Sequence, residues 1–177
     1  MSGHYTYLVS SLPMLQFDAR PPITVDRFID TCRLLISAAD VSTLENVSSV
    51  EVVEARNATL RRWCEFDTGL RNELVRIRSE RKKTDPERFL RGDGYAEPEI
   101  ARVAQKASRI PSVLDAERFL DRARWRALDE LEAGHYFDLD VLIVYMIRLM
   151  ILDKWERVRS ADKPQIVADV VGSKVNS

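Results

Sequence analysis

Apolar positions recur through the middle of the chain in alternating steps of three and four. Val52, Ala55, Thr59, Trp63, Phe66, Leu70, Leu74 and Ile77 fall within an arc of roughly 100° when each residue advances by about 100°, the stripe of an amphipathic helix that needs a packing partner. Ser48 and Glu51 have the spacing of a capping box, and no proline interrupts the chain from there to Pro86. The pattern predicts one long helix over 49–83, reaching roughly 50 Å at about 1.5 Å per residue. Gly69 lies inside it at a cost of about 1 kcal/mol relative to Ala, so a local packing or bending reason is expected there.

Shorter helices flank this one. The segment His4–Leu15, HYTYLVSSLPML, alternates aromatic and apolar residues ahead of Pro13 and is read as a short extended arm, with a packed helical turn as the alternative. Pro21-Pro22 closes the arm, and Thr24 can cap a helix that carries Phe28, Cys32, Leu35 and Ile36 on one side. A second short helix is expected over Ser37–Val47. After the long helix, Asp85-Pro86 starts the one-turn segment Glu87–Leu90, which Gly92 and Gly94 end. Pro98 opens a helix to about Arg109, Pro111-Ser112 opens another to about Ala133, and Gly134 stops it. Asp138 can cap the last helix, which is apolar on nearly every side from Val141 to Leu152 and is therefore central to a bundle or set against another subunit. The expected fold is all-α: an elongated multi-helix bundle with one long helix. It forms a single domain over 1–165, or two lobes sharing that helix, and 166–177 is a tail without assigned structure.

Composition narrows the function without naming it. The 177 residues are 45% hydrophobic, enough to bury a real core. The 27 Lys and Arg nearly balance the 28 Asp and Glu, so the molecule as a whole lacks the field that draws nucleic acid or anionic lipid. Cys32 and Cys64 have no CxxC spacing, and no basic region precedes an apolar run at the N-terminus, which leads us to expect a reduced, cytoplasmic protein without a secretory leader. The most apolar stretch, Leu139–Leu152, is only about 21 Å long as a helix, against about 30 Å of hydrocarbon core. No transmembrane segment is expected.

Candidate chemistry is sparse. His4 and His135 lack a nearby Cys or carboxylate at a familiar metal-ligand spacing, and their expected role is structural or at the surface; no metal or other cofactor is expected. Gly92-Asp93-Gly94 lacks the Lys-Ser or Lys-Thr of a phosphate loop, so direct nucleotide binding is not expected either. Cys64 beside Trp63 reads as a core thiol, and the carboxylate pairs Glu97/Glu99 and Asp138/Asp140 read as helix-start residues favoured by the dipole. The basic run Arg76, Arg78, Arg81, Lys82 and Lys83 scatters around the helix with Glu73, Glu80 and Asp85 between, whereas a phosphate-tracking stripe is one-sided. Arg148 interrupts an apolar helix and reads as a snorkelling or ion-paired residue, or as one with a role in coupling.

Three segments in order resemble a bacterial family of unassigned biochemical function encoded beside V-type ATPase genes. They are YTYLVSSLPMLQFDARPP at Tyr5–Pro22; Trp63-Cys-Glu-Phe-Asp, Leu70-Arg-Asn and Asp85-Pro-Glu-Arg-Phe-Leu-Arg-Gly-Asp; and Arg124-Trp125, Leu128-Asp-Glu-Leu, Tyr136-Phe137 and Tyr145–Trp155. A weaker similarity links Leu70-Arg71-Asn72 and Val144-Tyr145-Met146-Ile147 to the helical socket of V-type ATPases, the component termed C in bacteria and d in eukaryotes. The resemblance implies an all-helical, non-catalytic accessory or stalk-connecting subunit that joins the central stalk to the membrane ring of an H+ or Na+ pump. Such a subunit would be cytoplasmic and peripheral at the inner membrane. The candidate partner contacts are Trp63, Phe66, Asn72, Arg124, Trp125, Tyr145, Arg148 and Trp155, aromatic and Arg side chains being those that carry interface affinity. The competing expectation is a helical adaptor for nucleic acid or protein working through Arg76–Lys83.

Overall fold

A computed structural model describes the backbone of residues 2–49, 51–52 and 54–174 and the side chains of 4–49, 51–52 and 54–161. Among these residues the chain is all-α, with helices α1 (Ser2–Ser11), α2 (Val25–Leu35), α3 (Ala38–Glu45), α4 (Ala58–Lys82), α5 (Pro98–Ser108), α6 (Val113–Glu132) and α7 (Leu139–Lys174). Caps set most of the starts. Thr24, Ser37, Asn57 and Ser112 each accept a backbone N–H of the first turn through the side chain, and Asp138 accepts that of Val141 at 3.1 Å. A 3-10 turn at Glu87–Phe89 follows Pro86, and Gly134 turns the chain between α6 and α7 with φ 90°.

Two expectations need correction. The N-terminal segment is helical over its first part: Tyr5, Leu8, Val9 and Leu12 meet the core at intervals of three and four, with Leu8 fully buried, so the apparent alternation belongs to a helical face. The long helix begins at Ala58. Ser48 and Glu51 form no capping box at its start; the Oδ1 atom of Asn57 accepts the Leu60 N–H at 2.8 Å and caps the helix instead, while 46–49, Val52 and Glu54 lie in turns held by bonds such as Ala55 N–H to Glu51 carbonyl, 3.2 Å. Val52 and Ala55 still reach the core, but from those turns. With 25 residues, α4 is shorter than the 36-residue α7. The backbone of α7 runs through the expected tail as far as Lys174, and 175–177 lie outside the described residues.

Two hydrophobic clusters lie along α4. The larger gathers Leu8, Phe28, Leu44, Leu60, Trp63, Leu128 and the Leu142–Val144 and Leu149–Ile151 stretches of α7, which explains why α7 is apolar on so many sides. The smaller joins Leu70 to Ile100, Ala104, Ala107 and Leu120 on α5 and α6. Phe66 packs against both. Gly69 sits where α4 meets the start of α5: a Cβ there would lie 3.4 Å from Cβ of Ala96 and 3.5 Å from Cδ1 of Ile100. Among the described residues no helix is long and apolar enough to cross a membrane.

Candidate functional site

Charged side chains line the seam between α4, α6 and α7. Asp121 on α6 is 1% exposed, and its carboxylate takes Nη1 of Arg124 at 2.8 Å, the indole N–H of Trp155 at 2.9 Å and the ammonium of Lys154. Arg124 donates its Nε–H to Asp67 on α4 at 2.8 Å, and Asp67 also holds Arg71, one turn along, at 2.8 Å. Burial opposes the guanidinium charge of Arg124, but Asp67 and Asp121 outweigh it and keep its pKa above the usual arginine value. The network borders a cavity of about 640 Å³ whose walls include Trp63, Cys64 and Met150 as well as these ions. A neighbouring cleft of about 580 Å³ runs between α4 and α6 past Phe66 and Tyr95. Arg91 and Gly92 form part of the rim of both.

That rim belongs to a loop braced from below. Asn72, 2% exposed on α4, donates to the Arg91 carbonyl at 2.9 Å and accepts the Arg91 N–H at 3.0 Å, so its amide occupies the place of a paired backbone. Nη2 of Arg76 donates to the Gly94 carbonyl at 2.5 Å; a Cβ on Gly94, where φ is 74°, would meet that nitrogen at 3.2 Å. Asp85 and Asp93 accept the N–H groups of Glu87 and Tyr95, both at 3.0 Å. Above these supports Phe89 and Tyr95 are 62% and 69% exposed, and the Arg91 side chain stands exposed on the rim.

The eight candidate partner residues make contacts inside the chain. Trp63 stacks on Phe66 with ring centres 6.1 Å apart. Trp125 meets the edge of Phe17 at 5.4 Å and carries the guanidinium of Arg148 over its ring at 5.4 Å. Arg148 pairs with Asp129 and Glu132 at 2.6 Å each, the ion-paired form of the sequence expectation. Tyr145 donates its hydroxyl to the Pro13 carbonyl at 3.0 Å, and burial pushes its pKa up to about 12. The structure thus joins the N-terminal segment to α6 and α7 through Pro13 and Phe17, and α4 to α6 through Asp67. Segments far apart in sequence form one packed unit. No protein-family model matches the chain, and neither a curated protein nor a solved structure matches it.

The basic end of α4 is divided between internal and solvent roles. Arg76 pairs with Glu73, and Arg81 donates to the Ser108 carbonyl at 2.6 Å. Arg78, Lys82 and Lys83 make no ion pair among the described residues.

The expectation for His135 changes. Its Nδ1 lies 2.7 Å from Asp138 and 3.8 Å from Asp140, and one ligand atom from each of the three groups falls within 4.8 Å of the others. The signal was present as His-x-x-Asp-x-Asp but crosses a helix boundary, where neither helical nor strand spacing applies. Cys32, fully buried, has its thiol pKa pushed up to about 12 by burial, which makes it an inert core thiol.

Proposed function

We propose that this chain is a non-catalytic accessory or stalk-connecting subunit of a V-type ATPase, working in the cytoplasm and held at the inner membrane through its complex. It assembles or couples the soluble and membrane parts of an H+ or Na+ pump by helix-face and loop contacts. The family resemblance motivates the reading. The observation that carries it is the braced 85–95 loop, whose backbone is fixed by Asn72 and Arg76 while Phe89 and Tyr95 remain exposed. An aromatic-bearing loop already held in one conformation loses little entropy on docking, which suits a coupling surface.

This shifts the contact residues. Asn72 supports the surface from within, Trp63, Trp125, Arg148 and Trp155 make packing and polar contacts inside the chain, and Phe89, Arg91 and Tyr95 meet the partner. The experiment is affinity capture of the tagged full-length chain from detergent-solubilised membranes, with subunits identified by mass spectrometry. Recovery of V-type ATPase stalk or ring subunits, reduced at least tenfold by the pair F89A/Y95A, is expected. Absence of those subunits overturns the reading, as does salt-sensitive binding to nucleic-acid probes that depends on Arg78, Lys82 and Lys83.

A further inference from the structure

The turn between α6 and α7 gathers an imidazole and two carboxylates, and each carboxylate has its Oδ1 already engaged. Asp138 accepts the Val141 N–H on Oδ1 at 3.1 Å and turns Oδ2 to Nδ1 of His135 at 2.7 Å. The side-chain amide of Asn57, 83 residues away, donates to Oδ1 of Asp140 at 3.2 Å. The Oδ2 of Asp140 faces the same Nδ1 at 3.8 Å, beyond hydrogen-bond length. Asn57 is itself fixed, because its Oδ1 caps α4. Donors outside the set therefore hold the outer oxygens and leave one nitrogen and two oxygens converging, the arrangement by which outer contacts orient metal ligands.

Charge points the same way. Asp138 and Asp140 have no Lys or Arg within ion-pair distance among the described residues, and neither does Asp40, which accepts the hydroxyl of Tyr5 at 2.7 Å. Tyr5 in turn has its pKa raised by burial, by that bond and by the charges of Asp40 and Asp138, which places Asp40 in the neighbourhood of Asp138. Arginines or lysines answer the more buried carboxylates Asp67 and Asp121, and also Glu156, which is about as withdrawn from water as Asp140. Here, among the described residues, the base that answers Asp138 and Asp140 is His135.

We propose that His135, Asp138 and Asp140 form a binding site for a divalent transition cation of zinc type. Zinc bonds imidazole nitrogen and carboxylate oxygen at about 2.0–2.2 Å, which sets neighbouring donors roughly 3–3.5 Å apart. The present separations from the imidazole nitrogen, 2.7 and 3.8 Å, lie on either side of that spacing, and one ligand atom from each of the three groups falls within 4.8 Å of the others. The mixed N and O donor set favours zinc over magnesium, which prefers oxygen ligands. Three protein ligands leave a coordination position for water. Through Asn57 the ion would fasten the α6–α7 turn to the start of α4.

The test uses the full chain, treated with chelator and then titrated with Zn2+ alone by calorimetry, with Mg2+ as comparator. One saturable Zn2+ site is expected, together with a rise in Tm and no displacement by equimolar Mg2+. Asp138→Asn and Asp140→Asn retain the oxygens that accept from Val141 and Asn57, so both keep the fold by circular dichroism. Each should weaken Zn2+ at least tenfold, as should His135→Gln. X-ray absorption of the zinc-loaded wild-type chain should show a nitrogen and oxygen shell containing one imidazole, a result that does not depend on any variant folding. Absence of a saturable site, affinity unchanged by the three substitutions, loss on His4→Ala alone, or sulfur in the metal shell would each overturn the proposal.

Discussion

Trp155 on α7 donates its indole N–H to Asp121 on α6 at 2.9 Å, and both residues are buried. The same carboxylate holds Arg124 and Lys154, so one group closes the seam between α6 and α7 and, through Arg124, reaches Asp67 on α4. Removing it takes one of two carboxylate partners from Arg124, a guanidinium itself largely withdrawn from water, and leaves the Trp155 N–H without its acceptor. Asp121→Ala should cost about 3–5 kcal/mol, the range for breaking a buried pair by deleting one partner. Trp155→Phe removes one donor while Arg124 and Lys154 remain on Asp121, and about 1–2 kcal/mol is expected, mainly a lost hydrogen bond to a charged group. Urea unfolding followed by circular dichroism measures both. Equal losses in the two variants would show that the carboxylate is not the hub.

Asn72 is predicted to set the rigidity of the 85–95 loop. Its amide makes both a donor and an acceptor bond to Arg91. Asn72→Ala should cost about 1–3 kcal/mol, because the Arg91 N–H and carbonyl lose their partners. The local effect should exceed the global one. Limited trypsin digestion should cut after Arg88 and Arg91 faster in the variant, by more than the change in unfolding free energy accounts for. Cleavage that rises only in step with global stability would place the clamp in the core rather than at the loop.

The helices were legible wherever a cap and a period agreed. Thr24, Ser37, Ser112 and Asp138 mark their helix starts as the sequence suggests, and the all-α class follows from the same signals. The start of α4 was not legible, because Ser48 with Glu51 and Asn57 alone are both acceptable caps locally. The outcome depends on tertiary contacts: Asn57 gains a second bond, to Asp140. For the candidate aromatic and Arg residues the sequence left core and interface roles open. A buried Arg such as Arg124 looks the same in sequence as an interface Arg until Asp67, 57 residues away, is brought beside it. The His135 cluster was missed for a related reason, since its spacing crosses the turn before α7.

Stability should depend on the protonation of His135. The hydrogen bond to Asp138, against a smaller cost of burial, and then the charges of Asp138 and Asp140 raise its pKa above the ordinary 6.5. A raised folded-state value means that the contribution is complete below the unfolded pKa and is lost as pH rises through the folded one. The side chain is 34% exposed, so after solvent screening the contribution should stay below about 1 kcal/mol. Thermal unfolding in the presence of chelator should therefore show wild type losing Tm relative to His135→Gln as pH rises from 6.5 through the raised value. A difference that is flat over this range would remove the His135–Asp138 bond as a stabilising contact.

Gly69 offers a test in which two effects have opposite sign. In the interior of α4, Gly costs about 1 kcal/mol relative to Ala through backbone entropy, so Gly69→Ala gains that much if the methyl fits. The added carbon would meet Ala96 at 3.4 Å and Ile100 at 3.5 Å, the near edge of ordinary contact, so the neighbours need to move little. A net gain of about 0.5–1 kcal/mol is expected for Gly69→Ala. Gly69→Leu has similar helix propensity but must push Ala96 and the start of α5 away, and overpacking of that kind costs about 1–3 kcal/mol. Urea midpoints should therefore move in opposite directions for the two substitutions. If both rise, the approach of α5 to α4 is looser than 3.4 Å implies; if both fall, the contact at Ala96 cannot yield even to a methyl group.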